Sequence, residues 1–577
     1  MLLFSDVAAV FQQVEGKSGR LEMTGILAGL FARAGADEIG ELVYIVQGIV
    51  APPYEGIDLG VGEKFAVEAI ASAAGYSRPD VERHYKKSGD LGDTAEELLT
   101  KKKQTALATE EMGIGHVYDA MMRISKSGGQ GSQEQKIKHL AELLNNASPL
   151  EARYIVRFVL GRLRLGVGDP TILDALSVAK AGDRSLREPL ERAYNVCSDM
   201  GLVAKTLYSE PETVKEFKVR PFKPLMPALA ERLSTPKEIV EKIGKCGVEM
   251  KYDGFRMQVH RRGNRVEIYS RNLERMSPMF PDIVEAVRGL KGGEREMIFE
   301  GEALAFDRKA KRFLPFQQTM HRRRKHGIEK ASEELPLNVF VFDILYLEGK
   351  DLTGEPYRQR REIVEREFGD AGILKPSETR IIGSAKELSA MFRDAVSEGL
   401  EGIMAKDLEA PYTAGKRKFA WIKLKKSYGK SVDTIDGVIV GYYLGRGQRA
   451  EFEFGGVLVA VQNPDSGKLE TVAKVASGFT EEEMIGLGKT LEKIKTASPP
   501  ARLDHKIEVD FWVEPKYVVE VAFDDITQSP NHTCGAQEGK GYALRFPRLM
   551  RMREDKGVRE ITTTDEVIRM YELQHSR

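Results

Sequence analysis

The chain has 577 residues, 42% of them hydrophobic and 30% charged, with 87 basic side chains matched by 87 acidic ones. That length exceeds one hydrophobic core and implies about three domains at roughly 150 residues each. Three dispersed cysteines, Cys197, Cys246 and Cys534, exclude a four-cysteine zinc site and contain no C-x-x-C pair.

Met1–Asp6 carries no basic leader, and no run approaches the ~18 apolar residues of a membrane helix. Export and membrane insertion are not expected; a reducing cytoplasm with three ordinary thiols is. Zero net charge forecasts no polyanion partner, so the distribution of charge has to carry that argument. Between Ala410 and Val432 stand Lys416, Arg417, Lys418, Lys423, Lys425, Lys426 and Lys430 with no acid. His321–His326 forms a second basic cluster and Lys101–Lys103 a third. Any one of these reads as a solvated face; together, beside phosphate-chemistry motifs, they point to polyanion contact.

Residues 1–218 are expected to be all-α. Apolar residues recur at helical spacing in Ile137, Leu140, Leu143 and Leu144, then in Tyr154, Val156, Phe158, Val159 and Leu163. Ser148-Pro149-Leu150-Glu151 predicts a helix start, preceded by a loop at Gly128, Gly129 and Gly131. Gly161–Pro170 ends a helix in a Gly-rich turn bearing Arg162 and Arg164. Such a turn suits a phosphate backbone, and a plain connection between helices explains it equally well.

Pro221, Pro224 and Pro227 mark a boundary. Residues 219–426 then read as α+β. A hairpin is predicted over Phe255–His260 and Val266–Tyr269, with strands at Met297–Phe306, Val339–Tyr346 and Gly402–Ala405. Helices are predicted at Pro281–Arg288, Arg358–Phe368 and Ala385–Ser397. Beyond about Ser427, Val432–Leu444, Phe454–Val461, Leu469–Val475, Ile507–Val513 and Val518–Phe523 read as short strands of a small closed barrel spanning 427–577. A C-terminal helix is expected at Thr564–Gln574.

Chemistry concentrates in Glu249-Met250-Lys251-Tyr252-Asp253-Gly254-Phe255-Arg256. Glu249 and Lys251 share one face of a strand, Gly254 leaves backbone room beside a ligand, and Arg256 supplies a forked donor for phosphate or carboxylate. A lysine attacking phosphorus must first lose its proton, and the pattern leaves open what removes it. Glu300-Gly301-Glu302 and Glu401-Gly402, set in or beside apolar runs, are candidate sites for Mg²⁺, which takes one or two carboxylates plus substrate phosphate oxygens. Phe340 or Phe342 suits stacking on a purine. Lys423 and Lys425 project from one face of Trp421–Lys425, a repulsion that a triphosphate between them relieves. Arg548, Arg553, Asp555 and Lys556 add charge suited to a pyrophosphate leaving group.

The ordered set Lys251-Tyr252-Asp253-Gly254, Ser270-Arg271, Gly301-Glu302, Phe342-Asp343, Glu401–Lys406, Trp421–Lys425 and Arg553–Lys556 resembles the motif series of the covalent nucleotidyltransferases. Within them the chain is most similar to the ATP-dependent DNA ligases of the archaeal replicative type. The resemblance covers essentially the whole chain. It implies a helical DNA-binding domain, an adenylation domain and an OB-fold domain around nicked duplex DNA. It implies sealing of nicks in replication, repair and recombination through lysyl-AMP and DNA-adenylate, with ATP and Mg²⁺ or Mn²⁺.

The resemblance implies the following roles by motif, with Lys251 matching the lysine expected to become adenylated. Glu249, Arg256, Arg271, Glu302, Phe342, Arg417, Lys423 and Lys425 bind the nucleotide, and Glu302 and Glu401 serve the metal. Arg548, Arg553, Asp555 and Lys556 assist the first step. Arg162, Arg164, Arg322, Arg323 and Arg324 are the expected DNA contacts. A monomer is expected. A sliding clamp is a further partner the resemblance suggests, but Gln104–Ala108, at the place of the clamp peptide, has no aromatics. An RNA ligase or capping-type guanylyltransferase shares the lysine chemistry, and the long helical N-terminus argues against both. An NAD-dependent ligase lacks its cysteine set here. A binding scaffold with a degenerate pocket would not need Lys251, Glu302, Glu401, Lys423 and Lys425 together.

Overall fold

A computed structural model describes the chain outside residues 18, 103–110, 130, 308–311, 315–318, 320–321, 323, 325–326, 370, 399, 426–432, 445–453 and 576–577. Residues 4–216 are helical throughout their elements. Phe4, Phe11, Phe31, Tyr154 and Phe158 pack in one core with Leu140, Leu143 and Leu144, as the helical spacing requires. The helix Pro149–Val159 starts at the predicted place. Ser148 accepts from Glu151 N, and Glu151 accepts from Ser148 N at 2.8 Å, so two orphan amides are satisfied.

After the proline-rich stretch the chain builds two sheets that face each other. One orders Leu229–Arg232, Arg417–Lys425, Gly402–Asp407, Cys246–Lys251 and Thr379–Ile382. The other orders Arg265–Ser270, Phe255–Arg262, Glu296–Asp307, Leu337–Leu347 and Lys350–Asp351, with two further short strands at its side. The predicted hairpin, the three strands and the three helices of this region all form. Each sheet has its own core, Val248, Ile403 and Ile422 in the first and Val259, Phe299 and Val341 in the second. The polar edges left between them make the site.

The C-terminal region is β-rich. Its organising strand, Asp433–Tyr443, pairs along one side with Gly456–Gln462. On the other side its first half pairs with Val518–Phe523 and its end with Phe511–Val513. The strand expected over Ile507–Val513 is thus only its last three residues. A capped helix, Glu481–Glu492, and a hairpin, Asp525–Ser529 with Gly541–Arg545, were not expected. The C-terminal helix runs Thr564–His575. Among the described residues, no helix is long and apolar enough to cross a membrane.

Candidate active site

Lys251 is the last residue of the strand Cys246–Lys251, whose other members are buried. Gly402 lies opposite Lys251 on one side and opposite Lys425 on the other. Its φ of +149° and its closeness to the next strand admit only glycine, since a Cβ there would sit 2.1 Å from Leu424 O. The bend this permits sets Glu401 between two ammonium groups, Lys251 on one carboxylate oxygen and Lys425 on the other. Burial pushes the Glu401 carboxyl up, but Lys251, Lys425 and Arg553 outweigh it and hold it well below the usual range.

The second sheet supplies the facing wall. Arg256 pairs in register with Glu302, donates to Glu300 at 2.8 Å and to Ala228 O at 2.8 Å, and lies against the rings of Phe342 and Trp421. Glu302 accepts from Gly254 N at 3.2 Å. Burial lifts its carboxyl to about 7 against the pull of Lys251 and Arg256. A Cβ on Gly254 would meet Ala303 O at 2.4 Å, so its smallness serves the approach of two strands rather than room for a ligand.

At the inner end, Glu249 is buried and accepts from Lys406 Nζ at 2.8 Å and from the Tyr357 hydroxyl. Phe342 meets Trp421 edge-on. Phe340 instead stacks on Tyr252. The C-terminal region closes the outer end. Arg553 donates to Asp555 at 2.7 and 2.9 Å and to Asp436 at 3.3 Å, and Lys556 pairs with Asp436. Asp555 falls to about 2 because Arg553 outweighs its burial. Arg271 pairs with Glu560, and Arg417 with Glu566. Lys423 is pushed down to about 7 by burial, with Arg417 and Lys425 adding to the effect.

One cavity is lined by Lys251, Glu249, Arg256, Arg271, Glu302, Phe342, Glu401, Arg417, Lys423, Lys425, Arg553, Asp555 and Lys556. Two sheets and a β-rich cap therefore bring Lys251, four acids (Glu249, Glu302, Glu401 and Asp555) and a set of cations onto one cavity. Known families match three stretches of the chain. Residues 3–177 match the family described as DNA ligase N terminus, 227–425 the ATP dependent DNA ligase domain, and 450–556 the ATP dependent DNA ligase C terminal region. A probable DNA ligase of Dictyoglomus turgidum is 45% identical over 99% of this chain and 98% of its own length. The chain belongs to the ATP-dependent DNA ligase family.

Archaeal DNA ligases stand close as well. DNA ligase 2 of Thermofilum pendens is 43% identical and the DNA ligase of Saccharolobus solfataricus 40%, each over 99% of this chain and 97% or more of its own length. A solved mycobacterial DNA ligase D complexed with ATP and MES covers 58% of this chain and 98% of its own, at 23% identity and a TM-score of 0.35. The ligase is an enzyme that seals nicks in DNA.

The residues fit a Mg²⁺ ion of the kind that relies on phosphate oxygens. Glu401 Oε1 is buried and takes no hydrogen bond of ordinary geometry, although Lys425 lies against it. Among the described residues no cluster of three acids, histidines or cysteines forms a cage. An oxygen-seeking ion that keeps waters and substrate phosphates matches that donor set.

Arg548 lies apart from the cavity, paired with Asp524 at 2.6 Å. Arg322, expected on the DNA surface, is fully buried and donates to Asp282 at 2.6 Å and Ser332 at 2.7 Å. A charge with both partners inside the fold does not reach a phosphate backbone, so that expectation is corrected. Arg324 is half-buried beside it, while Arg323 and the segment Gln104–Ala108 lie outside the described residues. Arg162 pairs with Glu63 at 2.9 Å and Arg164 with Asp90 at 2.7 Å. Sequence reasoning did not single out Tyr357 or Asp436, and it quoted Lys406 and Trp421 only as members of motif segments, without a role. Besides that motif, the signal for Lys406 was a cation inside the otherwise apolar run after Gly402.

Proposed function

We propose that this ligase seals nicked duplex DNA by passing AMP from ATP through Lys251, and serves replication, repair and recombination. One observation carries the reading: Lys251 stands at Glu401 and faces Glu302 in a cavity that Arg553, Asp555 and Lys556 close from the far side. In the first step Lys251 Nζ forms a bond to the α-phosphorus and the bond to pyrophosphate breaks. The proton on Nζ must leave and the contact with Glu401 must open before the lone pair is free. Glu249, Arg256 and Phe342 hold the nucleoside; Arg271, Arg417, Lys423 and Lys425 face its phosphates. Arg553 and Lys556 face the side from which pyrophosphate departs, with Asp555 orienting Arg553.

Glu302 and Glu401 are the residues for Mg²⁺. When bound, the ion offsets charge on the phosphates. AMP then passes to the 5′-phosphate at the nick, and the 3′-hydroxyl displaces it. The division of labour follows the chain: residues 1–218 for DNA, 219–426 for adenylation and 427–577 as the OB-fold cap. A monomer in the cytoplasm, with a sliding clamp as a further partner, completes the reading.

Incubation with α-labelled ATP and Mg²⁺ tests it. The expected result is an acid-labile protein–AMP adduct, absent in Lys251→Ala, that is discharged by nicked DNA. An adduct that persists in Lys251→Ala overturns the assignment of the nucleophile.

A further inference from the structure

Lys406 is a buried cation with no part in the scheme above. Its side chain is 1% exposed, and it lies 157 positions from the residue it touches. It comes from the strand Gly402–Asp407 of the first sheet, and its Nζ donates 2.8 Å to Glu249 Oε1 in the same sheet. It also donates 3.1 Å to the main-chain oxygen of Phe342, in the second sheet. The rings of Trp421, Phe342 and Tyr357 surround it at 4.5–4.8 Å. Tyr357 adds a second donor to the same oxygen of Glu249.

Burying an ammonium costs several kcal/mol unless it is paired, so a lysine here needs a reason beyond packing. What it accomplishes geometrically is specific. Two donors take Glu249 Oε1, which fixes the plane of the carboxylate. Glu249 lines the cavity, and its other oxygen has no donor among the contacts of the described residues. The same ammonium sets the backbone that carries Phe342. One side chain thus ties the polar group at the nucleoside end of the cavity to the aromatic beside it.

We propose that Lys406 and Tyr357 are positioning residues for base selection: they lock Glu249 so that its free oxygen accepts from the exocyclic amino group of adenine and repels a purine with a 6-keto oxygen. This rests on the reading that the cavity holds the nucleoside of ATP. A fixed acceptor gains a hydrogen bond from the 6-amino group and sets lone pair against lone pair with the 6-keto group. A carboxylate free to turn loses that contrast.

The test compares adduct formation with ATP and with ITP, which differ at the 6-position, in wild type, Lys406→Met, Lys406→Arg and Tyr357→Phe. Wild type is expected to favour ATP strongly. In Lys406→Met the ratio of kcat/KM for ATP over ITP should fall about tenfold, the equivalent of one charge-assisted hydrogen bond. Most of the loss should lie in KM for ATP. Lys406→Arg should restore the ratio in part. Tyr357→Phe, which removes only a hydroxyl, should lower the ratio by a smaller factor and serves if the methionine variant fails to fold. A wild-type enzyme indifferent to the 6-substituent overturns the nucleoside reading itself. A wild-type preference that survives in both Lys406→Met and Tyr357→Phe, with ATP and ITP slowed in equal proportion, overturns only the positioning role.

Discussion

Arg551 of the C-terminal β-rich region donates to Asp253, two residues beyond Lys251, the proposed nucleophile, at 2.8 Å. Glu520 holds the other side of the same guanidinium at 2.8 Å. The pair ties the cap directly to the Lys251 loop, so it bears on the step in which the cap covers that lysine. Arg551→Met is expected to slow formation of the protein–AMP adduct about tenfold, the loss of a charge-assisted hydrogen bond. Sealing of a nick that already carries a 5′-adenylate, which bypasses that step, should change far less. Equal losses in the two assays would mean that the contact supports the fold and not closure.

Gly402 makes a second prediction. Its φ of +149° and the 2.1 Å approach to Leu424 O leave no place for a methyl group. Gly402→Ala must move the strand Gly402–Asp407 away from Arg417–Lys425 or give up the bend that presents Glu401. A cost of about 2 kcal/mol or more is expected in denaturant unfolding. Adduct formation should fall further than stability does, because Glu401 loses its place between Lys251 and Lys425. Unfolding at the wild-type midpoint would refute the steric account.

How much of this was legible beforehand depends on the distance over which each signal acts. Pro281–Arg288 and Leu469–Val475 form as predicted, because a proline in the first helical turn and a short run of apolar and β-branched residues are local signals. The motif residues converge because strand period alone places Glu249 with Lys251 and Lys423 with Lys425. Arg322 misled because a run of like charges reads as a solvated face, while its partner Asp282 lies 40 positions away. Lys406 was visible as the end of the Glu401–Lys406 motif but had no assigned role for the same reason, since its partner Glu249 lies 157 positions away. The helix Glu481–Glu492 is interrupted by Gly486 and Gly488, which weakens its pattern. The hairpin of Asp525–Ser529 with Gly541–Arg545 is joined by a segment far longer than the usual turn, so no short turn signal announces it. Buried Cys534, the bonds between Thr533 and Thr471, and the bond from the Thr533 hydroxyl to Asp504 O dock that segment on the β-rich core.

Lys423 predicts a proton uptake. Burial places it near 7 in the free cavity, below its ordinary 10.5. At pH 8 it is mostly neutral there. A triphosphate beside it favours the ammonium, so on binding Lys423 should draw in up to about one proton at pH 8 and contribute close to none near pH 5.5. Calorimetry of ATP binding in buffers of different ionisation heat reads the number directly. Lys423→Met should abolish the uptake at pH 8, and an undiminished count in that variant assigns it elsewhere.

Arg322 separates a structural cation from a nucleic-acid contact. Its removal leaves Asp282 and Ser332 without their donor inside the fold. Arg322→Ala should cost about 3 kcal/mol of stability. The slope of log K for duplex binding against log salt should stay at its wild-type value in protein that remains folded. A slope smaller by about one would return Arg322 to the phosphate contacts.

Arg162 is the opposite case: we propose it as a DNA contact, and its present partners would then compete with DNA. Its guanidinium spans two regions of the chain: it donates to Glu63 at 2.9 Å, reaches Lys493 O, and lies 3.9 Å from Glu514. Gly166 of the same loop sits against Ala501, where an added Cβ would approach to 2.9 Å. The loop cannot bear on a phosphate backbone while the C-terminal region covers it. Duplex binding therefore has to open this contact first, and part of the binding energy is spent on that. Arg162→Ala should lower duplex affinity and reduce the salt slope by about one, because a phosphate contact is lost. Glu514→Gln should act in the reverse sense, raising duplex affinity about twofold at low salt, since it weakens the competing contact without touching the cation. If Arg162 serves only to dock the two regions, both variants will raise duplex affinity, and anisotropy titrations at two salt concentrations distinguish the outcomes.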